Sequence, residues 1–221
     1  MAVKKEAVSR LIEQSSLTRD FYLMLFLSAI FVSMGLLLNN VVIVIGGMLV
    51  TPFLSPLLRL SLAVVISDKL IIKISVINIL KATGVVLLAS LLSSFLVPGK
   101  NVDWDLINRI FESANLFYVY IAVAAGVAAA YAWARPNLTN ALPGIAISVT
   151  LLPPIAVVGI GFAFLNFSLL LAGARSVLIN TLGLLLSTTF VFSILGFYRI
   201  KDHVKKEVLA EENEKENGKG K

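Results

Sequence analysis

The chain has 221 residues, of which 58% are hydrophobic and 14% charged, with a formal net charge of +6 and a mean hydropathy of +0.91. Soluble domains carry roughly a quarter charged residues, so these values describe an integral membrane protein with little chain left for a separate soluble domain. No cysteine is present, which excludes disulfides, thiolate metal sites and thiol nucleophiles.

The first twenty residues, MAVKKEAVSRLIEQSSLTRD, are polar and lack the apolar core of a cleavable signal. Residues 1–20 are read as a cytoplasmic N-terminal segment. Six apolar runs follow, at 21–38, 41–66, 74–97, 116–134, 141–165 and 175–198, each about the twenty residues needed to cross a core of about 30 Å. Only Asn39 and Asn40 join the first two, which predicts a tight antiparallel hairpin. Between the third and fourth, PGKNVDWDLINRIFESAN spaces Trp104, Leu106, Ile107, Ile110 and Phe111 at helical intervals. That pattern fits a short interfacial helix with Trp104 at headgroup level as well as it fits a solvated loop. Beyond Ile200 the chain reads KDHVKKEVLAEENEKENGKGK, and the expectation is a basic, largely disordered cytoplasmic tail over 199–221.

Outside the spans, fourteen Lys and Arg fall on the side of the termini and three (Lys100, Arg109, Arg175) on the other. The positive-inside rule then places both termini in the cytoplasm, as in a multi-pass protein of the cytoplasmic membrane. The positive charge is a topology signal with some attraction to anionic lipid, and it calls for no nucleic acid.

Within the second run, VIGGMLVTPFLSPLL puts Gly46, Gly47, Thr51, Pro52, Ser55 and Pro56 into an otherwise apolar span. The fifth run repeats the theme in LPGIAISVTLLPPIAVVGIG, with Gly144, Ser148, Thr150, Pro153 and Pro154. A slide of 98 positions superimposes Gly46 on Gly144 and Pro56 on Pro154. INIL at 77–80 matches INTL at 179–182 with a shift of 102, pairing Asn78 with Asn180 if an intervening loop differs by four residues. Three spans per half would make the halves (21–97 and 116–198) inverted repeats with broken second and fifth helices. Such breaks, in corresponding places, point to a binding site near the midplane. Freed backbone groups there need protein or a water-lined cavity. The plainer reading is that each proline kinks a helix for packing while the hydroxyls bond the preceding turn.

SSLTRDFYLMLFLSAIFVSMGLLLNNVVIVIGGMLVTPFLSPLL, ARPNLTNALPGIAISVTLLPPIAVVGIG and LLLAGARSVLINTLGLLLSTTFVF together resemble the prokaryotic membrane family called domain of unknown function 389. The resemblance covers about residues 15–198, with the family's Gly-x-Met-Leu and Leu-Pro-Pro motifs on Gly46 to Leu49 and Leu152 to Pro154. It implies no activity, since the family is uncharacterised. It suggests the compact form, without the extra soluble N-terminal domain of many members. Arg59 stands where that family typically has a small residue, often glycine.

Inside the spans only Arg59 and Lys81 are ionisable, apart from Arg175 at a boundary. Both are basic. With no carboxylate or histidine there, a proton relay is disfavoured, whereas hydroxyls, helix dipoles and basic groups suit an anionic or neutral polar solute. Arg59 and Lys81 either face a cavity or snorkel to the cytoplasmic headgroups. Nothing resembles a catalytic constellation, a metal site or a cofactor loop, so the chain is not read as an enzyme. In the fourth span Ala122, Gly126 and Ala130 form a small-residue face that suits a homo-oligomer or a neighbouring helix of the same protomer. The expected protein is thus all-helical, with six spans in two inverted repeats. The expected role is a transporter or channel-like protein for a small polar or anionic solute, in contact with membrane lipid, the alternative being a structural or assembly protein without flux.

Overall fold

A computed structural model describes residues 2–97, 102–104, 107, 116–135 and 142–218; of residues 2–3, 116–118, 142–150 and 214–218 it describes the backbone alone. All regular structure among the described residues is helical: α1 Ala2–Gln14, α2 Arg19–Leu37, α3 Val41–Val50, α4 Leu54–Val65, α5 Lys69–Ser94, α6 Leu116–Trp133, α7 Leu142–Ala163, α8 Phe167–Ile194, a 3-10 turn Phe197–Ile200, and α9 Lys201–Gly218. Three of these, α2, α5 and α8, are long and apolar enough to cross a membrane. A fourth span results if α3 and α4, bent by 54° at the break between them, are taken as one. α6 and α7 contribute the shorter apolar stretches Val119–Trp133 and Leu151–Ala163.

Helix starts follow from capping chemistry. The Thr18 hydroxyl accepts from the Phe21 N–H, the Asn40 side chain from Val42 and Ile43, Asp68 from Leu70 and Ile71, and Asn166 from Leu169. Each thereby satisfies N–H groups that a first helical turn leaves without partners. Three connections share one design. Asn39, Ser67 and Leu165 take positive φ (53°, 52°, 52°), and the capping residue that follows each returns its own N–H to a carbonyl five residues back: Asn40 to Gly35, Asp68 to Ala63, Asn166 to Gly161. This closes the outgoing helix and opens the next in three residues. The Asn40 cap makes the expected hairpin of α2 with α3.

Two expectations fail here. The sixth run begins at Phe167 rather than 175, because the Asn166 cap sets the start and Arg175 sits exposed within α8. The segment after Ile200 is not disordered over its length: Lys201–Gly218 is a helix. Its Val204 and Val208, one turn apart and buried, dock it into the core.

Outward faces are apolar, unlike those of a water-soluble bundle, and the apolar core also carries hydroxyls. Val42, Tyr120, Leu186 and Phe190 are exposed, while Ser28, Ser33, Ser61, Ser90 and Thr188 are buried. The hydroxyls are used between helices. Ser28 donates to the Gly47 carbonyl (2.7 Å), Ser33 to Ser90 (2.8 Å), and Ser61 shares a hydrogen bond with Thr188. Trp104 and Ile107 pack on a smaller cluster with Leu37, Val157 and Leu169, Trp104 edge-on to Phe164. The remaining positions of the expected interfacial helix (Leu106, Ile110, Phe111) lie outside the described residues.

The small-residue face of α6 is turned inward. A Cβ on Gly126 would lie 2.0 Å from the Ser187 Oγ and 3.1 Å from the Leu184 carbonyl, and one on Gly183 3.0 Å from Ala122. Ala122 and Gly126 therefore belong to the contact of α6 with α8 inside the protomer, and Ala130 on the same face is fully buried, so the face is not presented to a second copy. Such close approach of backbones is what small residues permit. Gly126→Val is expected to cost about 1–3 kcal/mol through overpacking, read from detergent-induced unfolding, while Val127→Leu, on the exposed face, stays near the parent.

A polar interior around a broken helix

α4 is the innermost element: ten consecutive residues, Leu54 to Ala63, are buried. It packs on α5, α8 and α1. The break before it follows from its prolines. Pro52 has no N–H and disfavours the helical region for the residue before it, and Thr51 is accordingly extended (φ −74°, ψ 130°). Pro56 falls in the first turn of α4, where an N–H would have no helical partner anyway.

The fifth run differs. α7 continues through Pro153 and Pro154 without interruption, so the expected break there is absent. Under the slide of 98 positions Pro52 corresponds to Thr150, which keeps its N–H, whereas Pro153 and Pro154 correspond to Ser55 and Pro56. The residue that breaks the first helix has no counterpart in the second. The side chains of Ser148 and Thr150, and the surroundings of Gly144, lie outside the described residues.

The predicted positions separate into groups. Gly46 is exposed, and a Cβ added to it would meet nothing within 4 Å, while Gly47 is buried against Phe31, Val32 and the Ser28 carbonyl. Gly47 is thus a packing residue. Pro52 is partly exposed; Thr51, Ser55, Pro56, Arg59, Asn78, Pro153, Pro154 and Asn180 are all buried. The Thr51 Oγ1, the Ser75 Oγ and the Asn78 Nδ2 make no hydrogen bond, a costly state for buried polar atoms. Lys81 is exposed on the outer face of α5 and does not join them.

The arms of the α4–α5 hairpin place two of these groups at one depth. Arg59 lies nine residues before the Asp68 cap and Asn78 ten after it, about 14–15 Å in at 1.5 Å per residue. Ser176, also buried, lies ten residues after the Asn166 cap, and Asn180 one turn further. The two connections are of equal length, so the loop difference of four residues is not there. Under the slide of 98 positions Asn78 falls on Ser176, and Asn180 sits one helical turn beyond on the same side of α8.

Arg59 is 1% exposed and does not snorkel. Its Nη1 lies 2.7 Å from the Glu211 Oε2 on α9 and donates to the Ser15 Oγ at 3.4 Å; its Nη2 is 4.0 Å from the Glu212 Oε1. Ser15 closes α1. Both terminal helices thus converge on α4, held also by Trp133 donating to the Ala7 carbonyl (3.2 Å), Ser9 donating to Glu207 (3.1 Å), Lys4 donating to the Leu195 carbonyl, and Lys205 paired with Asp68 (3.8 Å). Sequence reasoning misses the two glutamates. The available signal is Val204, Val208 and Glu211 on one stripe of a helix, together with an arginine in an apolar run that requires a partner.

A separate cleft of about 340 Å³ opens between α5 and α7, lined by Gly84, Leu87, Leu91, Val158 and Phe162. Its walls are apolar, which suits hydrocarbon and not a polar solute. Among the described residues no group of His, Asp and Glu could hold a metal ion.

A family profile described as Domain of unknown function (DUF389) matches residues 48–186, from the last turn of α3 into α8. An uncharacterized protein of Methanocaldococcus jannaschii is 28% identical over 207 residues, covering 87% of this chain and 62% of the relative. The chain therefore spans less than two thirds of that relative's length. No solved structure matches.

Proposed function

The chain belongs to the family of the domain of unknown function DUF389, and from the interior described above we propose that it is a membrane permeation protein, a transporter or channel, for a small polar or anionic solute. The observation that carries this reading is the set of buried, unbonded polar atoms on Thr51, Ser75 and Asn78 beside a helix broken inside the bundle. Structural packing alone gains nothing from them, since each costs about 1–3 kcal/mol unless water or a solute completes its hydrogen bonds.

In this reading α2, α3–α4, α5, α6, α7 and α8 are six crossings in two inverted halves, with both termini in the cytoplasm. The connections at Ile66–Asp68 and Phe164–Asn166, of equal length and 98 residues apart, support the repeat; their φ and capping are shared by the Asn39–Asn40 connection and do not distinguish it. With the halves inverted, Asn78 and Ser176 would each lie about 15 Å from opposite faces, near the middle of a core of about 30 Å. The halves are not equivalent. Arg59 corresponds to the buried Val157, so one half supplies the charge.

Purified protein in liposomes is expected to speed the exit of at least one of acetate, phosphate, chloride and glycerol over protein-free vesicles. In this cysteine-free chain, Thr51→Cys and Asn78→Cys should react with a small water-soluble thiol reagent, while Leu25→Cys, fully buried among apolar side chains, should not. Absence of flux for the whole panel, together with protection of both cysteines, refutes the proposal.

A further inference from the structure

The guanidinium of Arg59 has five N–H donors, and the structure engages few of them. Nη1 serves both Glu211 and Ser15; Nε and Nη2 are buried and donate to no protein atom. Ser15 is fully buried, and its own proton goes to the Ile12 carbonyl (3.0 Å), leaving its lone pairs to face Arg59. A planar fork of this kind matches an anion with two oxygens held side by side. Glu211 meets it through one nitrogen only.

Among the described side chains of the helix that brings Glu211, only Val204 and Val208 are buried. Lys205 pairs with Asp68 and Glu207 accepts from Ser9, the Lys205 side chain being half exposed, and Glu211 and Glu212 make further contacts of their own. Exposed ion pairs contribute little. The carboxylate that fills the site is therefore one the chain can withdraw.

Building on the permeation reading, we propose that Arg59 is the oxyanion-coordinating residue of the solute path, and that α9 closes this path by seating the Glu211 carboxylate where a small carboxylate or phosphate would bind. Glu211 acts as a tethered stand-in for the solute, and Glu212, 4.0 Å from Nη2, reinforces it. A tethered group competes at an effective concentration of about millimolar. Free oxyanion should displace it in that range.

The test places spin labels at Lys69→Cys and Leu209→Cys, on the α5 start and on α9, in nanodiscs of neutral lipid. Inorganic phosphate or acetate at about millimolar levels is expected to add a longer distance to the distribution. Arg59→Gln should abolish that response. Glu211→Gln with Glu212→Gln, which keeps Arg59 in place, should show the longer distance with no anion added and bind phosphate several-fold more tightly. A distribution that ignores phosphate and acetate in the parent, or that stays short in the double glutamine variant, overturns the proposal. Lengthening that requires phosphatidylglycerol and not the free anions would make the ligand a lipid headgroup and overturn the solute assignment. The two readings fail separately. Flux equal in the parent and the double glutamine variant sinks the α9 plug and leaves permeation standing. Phosphate-driven displacement in a protein that passes no solute sinks permeation and leaves the oxyanion site.

Discussion

Replacing Arg59 by glutamine is expected to destabilise the protein by roughly 3 kcal/mol, the low end of the cost of breaking a buried ion pair. The low end applies because the Glu211 side chain is 12% exposed and keeps some access to water, whereas that of Arg59 is 1% exposed. The loss comes mainly from the carboxylate left behind. Glu211→Gln in the Arg59→Gln background should therefore recover a large part of the stability, and an apolar pair at the two positions should come close to the parent, since a well-packed hydrophobic replacement of a buried pair is often neutral or better. The double-mutant cycle in a detergent unfolding assay measures this coupling. Additive losses, with no recovery in the double variant, would show that the 2.7 Å contact contributes nothing to holding α9 on α4.

That contact also marks where sequence reasoning runs out. Hydropathy locates the apolar elements to within a few residues for most helices, because a long helix in lipid must be apolar on its outer face whatever it packs against inside. The caps at Thr18, Asn40, Asp68 and Asn166 are local chemistry and stand in the sequence as such. Arg59 is ambiguous in the sequence because the choice between cavity and headgroup depends on what covers α4, and the cover comes from α1 and α9, at the two ends of the chain. α9 itself reads as disordered because its composition is dominated by Glu and Lys. Two valines four residues apart suffice to dock it once a core is present to receive them. The prolines mislead in a different way. Pro153 and Pro154 form the denser cluster, yet it is Pro52 that breaks a helix, because what matters is whether the chain can tolerate an extended residue just before the proline.

Adjacent glycines offer the sharpest separation of packing from function in the VIGGMLVTP stretch. Gly46→Ala and Gly47→Ala bring the same gain in helix propensity, about 1 kcal/mol, so the difference between them isolates their surroundings. At Gly46 the new methyl enters open space, and the variant should equal or exceed the parent in stability. At Gly47 it would lie 2.8 Å from the Val32 Cγ2, 2.9 Å from the Phe31 Cβ and 3.0 Å from the Ser28 carbonyl. The Phe31 Cβ and the carbonyl cannot swing aside, so α3 must move off α2 and the 2.7 Å hydrogen bond from Ser28 to the Gly47 carbonyl is lengthened or lost. Overpacking of this kind costs about 1–3 kcal/mol, and Gly47→Ala should fall below Gly46→Ala by that margin in the same unfolding assay. The displacement also reaches the break, because Thr51 ends the helix that Gly47 anchors. Thiol labelling at Thr51→Cys should then change in the Gly47→Ala background and stay as it was with Gly46→Ala. Equal stability of the two alanine variants would mean that α2 and α3 are not packed at this spacing, and that the 54° bend is not held in place by their contact.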